Sequence, residues 1–555
     1  MKVFRMCPEC EREYNDPTNR RFHAQPNACP VCGPKLWLEG PSGVIDTDDP
    51  IDEAVRLIRE GNIVAIKGLG GFLLACDARN REAVRKLRER KRRPSKPFAL
   101  MMRDMDEVKR YCDVSEEEER LLKSPESPIV LLRWREKGDI DEGVAPNLRY
   151  LGVMLPYTPI HHILMRKAGF PLIMTSGNLS EEPIAKDNDE AKARLKNIAD
   201  FFLLHNRDIR SRYDDSVVMV EDEPCMIRRA RGYAPYPIHL PFEVKRVLAC
   251  GAELKNTFCL TNKNHAFISQ HIGDMENEET LSHFIDTIEL YKKLFRIEPE
   301  LVACDLHPDY LSTIYAESLG KRLVRIQHHF AHVVSCLAER GIDKKVIGVS
   351  MDGLGYGEDG AMWGGEFLVS DMESYERIAH LEYVPLPGGE ASIKKPWRMA
   401  LSYISTLLGD VEIEKLPLYK FVNDVEAEVV KKQIKALINT PMTSSMGRLF
   451  DGVSALIGVR GEIDYEGQAA VELEMIAEGN GKAFPFDITE GPPFIIRLGK
   501  LFEAIIEDDE PPQIIAGRFH ITVAEMIKKV CELVRGMTGI KDVVLTGGVF
   551  QNRLL

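Results

Sequence analysis

The sequence predicts a multidomain α/β and α+β protein that opens on a small metal-held unit. Two CxxC pairs stand near its start. After them, apolar strand and helix patterns alternate around a basic run. The second half repeats a strand–glycine turn–strand unit and then resumes helix–strand alternation. At ~150 residues per domain, 555 residues hold roughly three or four domains. The composition shifts place them at 1–45, 46–240 and 245–555. With 44% hydrophobic and 29% charged residues, the chain can bury large cores.

Cys7 and Cys10, then Cys29 and Cys32, give CPEC and CPVC separated by 18 residues. Four thiolates on two tight knuckles are what tetrahedral zinc requires, and so short a segment cannot fold on its own core. Such a site has no open position, so its role is structural or docking. The other cysteines are scattered singly in apolar contexts, which suits reduced cytosol better than a disulfide framework. No apolar run reaches membrane-spanning length, and MKVFRMCPEC does not read as a signal peptide. The expectation is a cytoplasmic protein without membrane contact. A net charge of −13 argues against nucleic acid as the main partner.

In the second domain, DTDDP signals a helix start, 51–60 reads as that helix, and 63–67 as a strand ending in GLGG. Residues 81–90 read as a basic helix. From Arg79 to Lys96 ten residues are Lys or Arg against two Glu. Prolines in KRRPSKPFALM stop this helix, leaving a stiff loop that aims Lys91, Arg93 and Lys96 at one point. That suits a polyanion such as a nucleoside triphosphate, although a basic run is more often a solvated face. A strand over 172–174 then ends in Thr175, Ser176, Gly177 and Asn178, whose hydroxyls and backbone N–H groups can bind phosphate or a carbonyl. Taken alone, it is an ordinary polar turn. No GxxxxGK[ST] is present, which excludes a P-loop.

In RIQHHFAHVVS, residues 325–335, the part up to Ile326 reads as a buried strand and the rest has helical spacing. His328 and His332 then share one helix face. Residues 346–351 form another apolar run that delivers Asp352 into a glycine-rich turn, DGLGYG. Two histidines and a carboxylate make an open metal site with room for substrate or water. On spacing alone, a capping His328, packing at His329 and His332, and a turn residue at Asp352 serve equally well. The surroundings favour the metal. VLACGAELKNTFCLT and VIGVSMDGLGYGEDGAMWGGEFLV each read as a hairpin with a glycine turn, the phosphate-cradling device of two-lobed ATPases. Finally, DVVLTGGVFQN places Gly547 and Gly548 after a strand, and MGRLFDGVSALIG places Asp451 inside a helix.

These motifs resemble the HypF family of hydrogenase maturation carbamoyltransferases along nearly the whole chain. KRRPSKPFAL, LPYTPIHHILM, MTSGNLSEEP and HNRDIRSRYDDSVV resemble its YrdC-like twisted-sheet domain, and the cysteine segment its second zinc-finger unit. QHHFAH, SMDGLGYGEDGAMWGGEF, YEGQAAVELE and TGGVFQN resemble its TsaD-like transferase domain, which has the two-lobed actin-like (ASKHA) fold. The resemblance implies ATP binding, with Mg2+, by Lys91, Arg93, Lys96, Thr175, Ser176 and Asn178, with Lys67 and Ser216 as further members. It implies a divalent metal, zinc or iron, on His328, His332 and Asp352, and a nucleotide pocket lined by Asp451, Gly547, Gly548 and Asn552. The implied chemistry is carbamoyl adenylate formation from carbamoyl phosphate-derived carbamate, then transfer to the C-terminal cysteine of a partner, HypE. Two pockets facing a shared internal cavity are expected. The family's acylphosphatase domain and first zinc-finger unit are not in this sequence, nor is a further metal-site Asp beyond Leu555, so it reads as a fragment. Two rivals remain: a threonylcarbamoyl-adenylate and tRNA-modifying fusion, and a non-enzymatic RNA-binding zinc module.

Overall fold

The computed structural model describes residues 4–135, 138–179, 182–409, 411–479 and 481–555. Ser180 and Glu181 of the MTSGNLSEEP stretch lie outside them. The chain divides into two compact units, Met1–Pro146 with Tyr150–Tyr233, and Asn147–Arg149 with Ala234–Leu555.

In the first unit, the Asp49 side chain accepts from the N–H groups of Ile51 and Asp52 and starts the helix Pro50–Arg59, where DTDDP predicts it. Ile51, Val55 and Ile58 of that helix join Ile66, Leu73 and Met174 in the core beneath a large mixed sheet. Strand Phe72–Asp77 lies between Val64–Lys67 and Leu172–Ser176, antiparallel to both. On the far side of Leu172–Ser176 comes Ala99–Met101. The Leu172–Ser176 strand outruns its predicted end because Leu74 pairs with Thr175 and Leu73 with Ser176. Just after the second CxxC pair, Leu36–Gly40 pairs with Phe201–His205, anchoring the cysteine segment to the sheet.

Among the described residues, the second unit contains two sheets. In one, Val247–Ala249 and Cys259–Ile268 form the first predicted hairpin, and Leu301–Asp305 runs parallel to Arg322–Ile326. In the other, Val346–Tyr356 pairs with Met362–Ser370 as the second hairpin and runs parallel to Val543–Thr546. Helices carrying Trp397, Tyr403, Phe450 and Phe502 close the main core.

Two expectations need correction. The strand before His328 is an edge rather than a buried strand. Among the described residues it pairs only with Leu301–Asp305, and Val324 is 36% exposed. Nor is DGLGYG a turn. The strand continues to Tyr356, with a bulge between Met351 and Gly355 that takes Asp352 out of the ladder. No described helix is long and apolar enough to cross a membrane.

Candidate functional site

The structure gathers residues singled out in the sequence into three clusters. In the first, the sulfurs of Cys7, Cys10, Cys29 and Cys32 lie within 4.8 Å of one another. Cys29 Sγ is 3.7 Å from Cys7 Sγ and 3.8 Å from Cys32 Sγ. Sulfurs about 2.3 Å from a tetrahedral zinc stand about 3.8 Å apart, so the donors fit that ion.

The second cluster lies at the end of strand Leu172–Ser176. Lys91 is the last residue of helix Arg81–Lys91, not part of the loop, and only 2% of it is exposed. Its Nζ donates to Ser176 O at 2.7 Å, Asn178 O at 2.6 Å and Asn178 Oδ1 at 2.7 Å. Burial, and then the Arg93 charge, push the Lys91 ammonium well below its ordinary range. Three acceptor oxygens oppose that shift and match its three donors. Ser176 Oγ also donates to Asn178 Oδ1, at 2.7 Å. Arg93 reaches Thr175 Oγ1 at 3.4 Å and lies over the Phe98 ring, while Lys96 is exposed. Gly177 is required by packing, since a Cβ there would stand 2.7 Å from Phe72 O.

The third cluster straddles the two sheets of the second unit. Gln327 caps the helix His328–Arg340, accepting from the Phe330 N–H, so His328 does open the first turn. His328 Nε2 is 3.2 Å and His332 Nε2 3.3 Å from one oxygen, Asp352 Oδ2. All three donor atoms lie within 4.8 Å of one another. The other carboxylate oxygen, Asp352 Oδ1, accepts from the Gly548 N–H at 3.1 Å. Burial pushes His328 down, but its bonds to Asp305 and Asp352 carry it up to about 10. Burial raises Asp352, and the two histidines more than reverse this, holding it well below the carboxylate range. Imidazole nitrogens and a carboxylate converging from one side suit a divalent ion with open positions.

Four family models match in chain order. They are the HypF finger at 6–39, Telomere recombination at 56–230, the HypF Kae1-like domain at 243–339, and Carbamoyltransferase, Kae1-like Domain, second subdomain, at 348–555. Carbamoyltransferase HypF of Rhodobacter capsulatus is 42% identical over 567 aligned residues, covering 100% of this chain and 75% of that relative. The crystal structure of full-length HypF in a phosphate- and nucleotide-bound form superposes with a TM-score of 0.94 at 51% identity, over 100% of this chain and 73% of the other. HypF of T. kodakarensis gives 0.93 at 40% identity, over 100% and 74%. The chain belongs to the HypF carbamoyltransferase family. The fold class read from its sequence holds: a HypF finger, a YrdC-like domain and a Kae1-like transferase region.

Other HypF-type residues sit less openly than their motifs suggest. Asp451 is 1% exposed and pairs with Arg448 at 2.7 Å, so it is not a solvated helical carboxylate. Asn552 Nδ2 donates to His520 Nε2 at 2.8 Å. Gly547 has φ +100°, and a Cβ on it would meet Met351 O at 2.2 Å, which explains that glycine. Lys67 is buried, donating to His205 O at 3.2 Å, and burial lowers its pKa. The Ser216 hydroxyl bonds the Ala230–Arg231 backbone rather than the Lys91 cluster.

One residue was missed altogether. Asp305, at the end of its strand, places Oδ2 2.8 Å from His328 Nδ1. Its signal was CDLHPDY, an apolar run ending in a carboxylate just before the helix and strand that lead to His328.

Proposed function

We propose that this chain makes carbamoyl adenylate from ATP and carbamate, then passes the carbamoyl group to a cysteine thiolate. One observation carries the reading: a chain matched to HypF along its whole length holds both a cationic cluster and a separate metal-type donor set. The phosphate- and nucleotide-bound state of the 51% identical relative supports it.

In the YrdC-like domain, a carbamate oxygen attacks the α-phosphorus of ATP and pyrophosphate leaves. Arg93 and Lys96 neutralise the phosphates, which Mg2+ accompanies, and the charge that develops on the leaving group. Lys91 holds the Ser176–Asn178 turn in shape so that its polar groups meet the substrate. Lys67, Thr175 and Ser216 fix the surrounding strand ends.

In the Kae1-like region, the acceptor sulfur attacks the carbamoyl carbon, a C–S bond forms and AMP leaves. His328, His332 and Asp352 would hold a zinc or iron ion, which when bound supplies electrophilic polarisation of substrate oxygens. Gly548 N–H orients Asp352, and Gly547, Asp451 and Asn552 shape the nucleotide side. The four cysteines hold a structural zinc. By the family resemblance, the acceptor is the C-terminal cysteine of HypE in cytoplasmic nickel–iron hydrogenase maturation, and carbamoyl phosphate is the carbamate source.

ATP–pyrophosphate exchange with purified chain tests this. Exchange that depends on carbamate and ignores threonine is expected. A strict need for threonine would sink the reading in favour of the tRNA-modifying rival. Steeply salt-dependent RNA binding without exchange would favour the zinc-module rival.

A further inference from the structure

The strand Leu301–Asp305 lies parallel to Arg322–Ile326 with Asp305 level with Ile326. Its carboxylate therefore ends beside the point where the neighbouring strand gives way to the helix that starts at His328. Asp305 is 8% exposed, and both its oxygens are engaged. Oδ1 accepts from the His307 N–H at 2.9 Å, and Oδ2 meets His328 Nδ1 at 2.8 Å. The opposite nitrogen, His328 Nε2, faces Asp352 Oδ2 at 3.2 Å. The ring is also held from the side. A Cβ on Gly355 would stand 2.8 Å from its Cδ2.

We propose that Asp305 is a positioning residue, which accepts the Nδ1 proton of His328 and so presents Nε2 to the ion. The inference rests on the metal reading of His328, His332 and Asp352. An imidazole can offer Nε2 as a neutral ligand only if the proton sits on Nδ1. A carboxylate oxygen at 2.8 Å there fixes both tautomer and ring angle and makes Nε2 a better donor. The other imidazole lacks this support. No carboxylate meets His332 Nδ1 among the described residues. Asp305 and Asp352 come from the two different sheets of the unit, so His328 is held by both. The site's affinity thus depends on how the two sheets are packed together.

The full chain, stripped of metal, would be titrated with Zn2+ and separately with Co2+, whose absorption reports ligand geometry. The four-cysteine site is the internal standard. Asp305→Ala is expected to weaken the second site about 10–100-fold, as loss of a carboxylate behind a metal-bound histidine does. The Co2+ spectrum of that site should change, with the cysteine site unaltered. Asp305→Asn keeps an acceptor oxygen and should fall between Asp305→Ala and wild type.

Wild-type affinity in folded Asp305→Ala would overturn the inference. So would a lower metal-free melting temperature in Asp305→Asn with full affinity, since that marks a merely structural role. If wild-type protein takes up no second ion, the metal reading itself fails and this inference falls with it.

Discussion

Two histidine pairs, His161–His162 and His328–His329, stand in the first turns of helices Pro159–Ala168 and His328–Arg340. Read locally they are alike, yet the folded chain treats them in opposite ways. His161 is fully buried, neither ring nitrogen has a hydrogen-bond partner among the described residues, and its ring meets Tyr157 edge-on at 4.6 Å. Burial, and then the Arg231 charge, depress its pKa to about 3. His328 has a carboxylate on each nitrogen and is raised to about 10. What separates the two is what other strands bring: carboxylates from two strands reach His328, and none reaches His161 among the described residues. The dipeptide and its helix do not decide the matter.

The largest break in this comparison comes from His328→Leu. It leaves the buried Asp305 with only the His307 N–H, while the part-buried Asp352 keeps His332 and the Gly548 N–H. Such a loss costs about 3–5 kcal/mol, read as faster amide hydrogen exchange in the helix His328–Arg340 and its neighbouring strands. Binding of a second ion should disappear while carbamate-dependent pyrophosphate exchange persists. Loss of exchange as well would mean that the two chemistries are not divided between the units.

A smaller effect follows from acid. His161 has a folded-state pKa below its unfolded value of 6.5, so the stability it protects is present above pH 6.5 and lost as pH falls toward 3. By linkage the loss reaches about 2 kcal/mol at pH 5. Urea unfolding of wild type and His161→Leu at pH 8 and pH 5 should show the variant losing that much less. An identical pH response in both proteins would contradict the depressed value.

This contrast also marks how far the sequence could be read. The cysteine knuckles were legible because all four donors lie within one short segment with its own spacing rule. The pairing of His328 with His332 was legible for the same reason, through helix periodicity. Asp305 was not, because it reaches His328 by strand pairing, as the register of Asp305 with Ile326 shows. Lys91 was found as a cation but read as a loop residue aimed, with Arg93 and Lys96, at a polyanion, whereas it ends the helix and is spent on the Ser176–Asn178 turn. Whether a helix-terminal lysine faces solvent or the Ser176–Asn178 turn depends on where strand Leu172–Ser176 ends, and the sequence reading ended it two residues early. The glycine run after Asp352 suggested a turn. What it permits is a bulge within a longer strand, which no local turn rule distinguishes.

The smallest effect concerns the residues that start the two helices. Thr158 Oγ1 accepts from the His161 N–H at 3.2 Å, and Gln327 Oε1 from the Phe330 N–H at 2.9 Å. Removing an N-cap costs about 1 kcal/mol. Thr158→Ala should show that loss alone, at every pH, because it leaves the His161 surroundings intact. Gln327 does more than cap. Its Nε2 lies 3.2 Å from both His329 Nδ1 and Tyr356 O, which fastens the start of the helix to the bulged strand that carries Asp352. Gln327→Ala should therefore cost a similar amount in urea and also weaken the second ion several-fold, whereas Thr158→Ala leaves ion binding unchanged. Equal effects of the two variants on ion affinity would show that the cap at Gln327 contributes nothing to the site beyond helix stability.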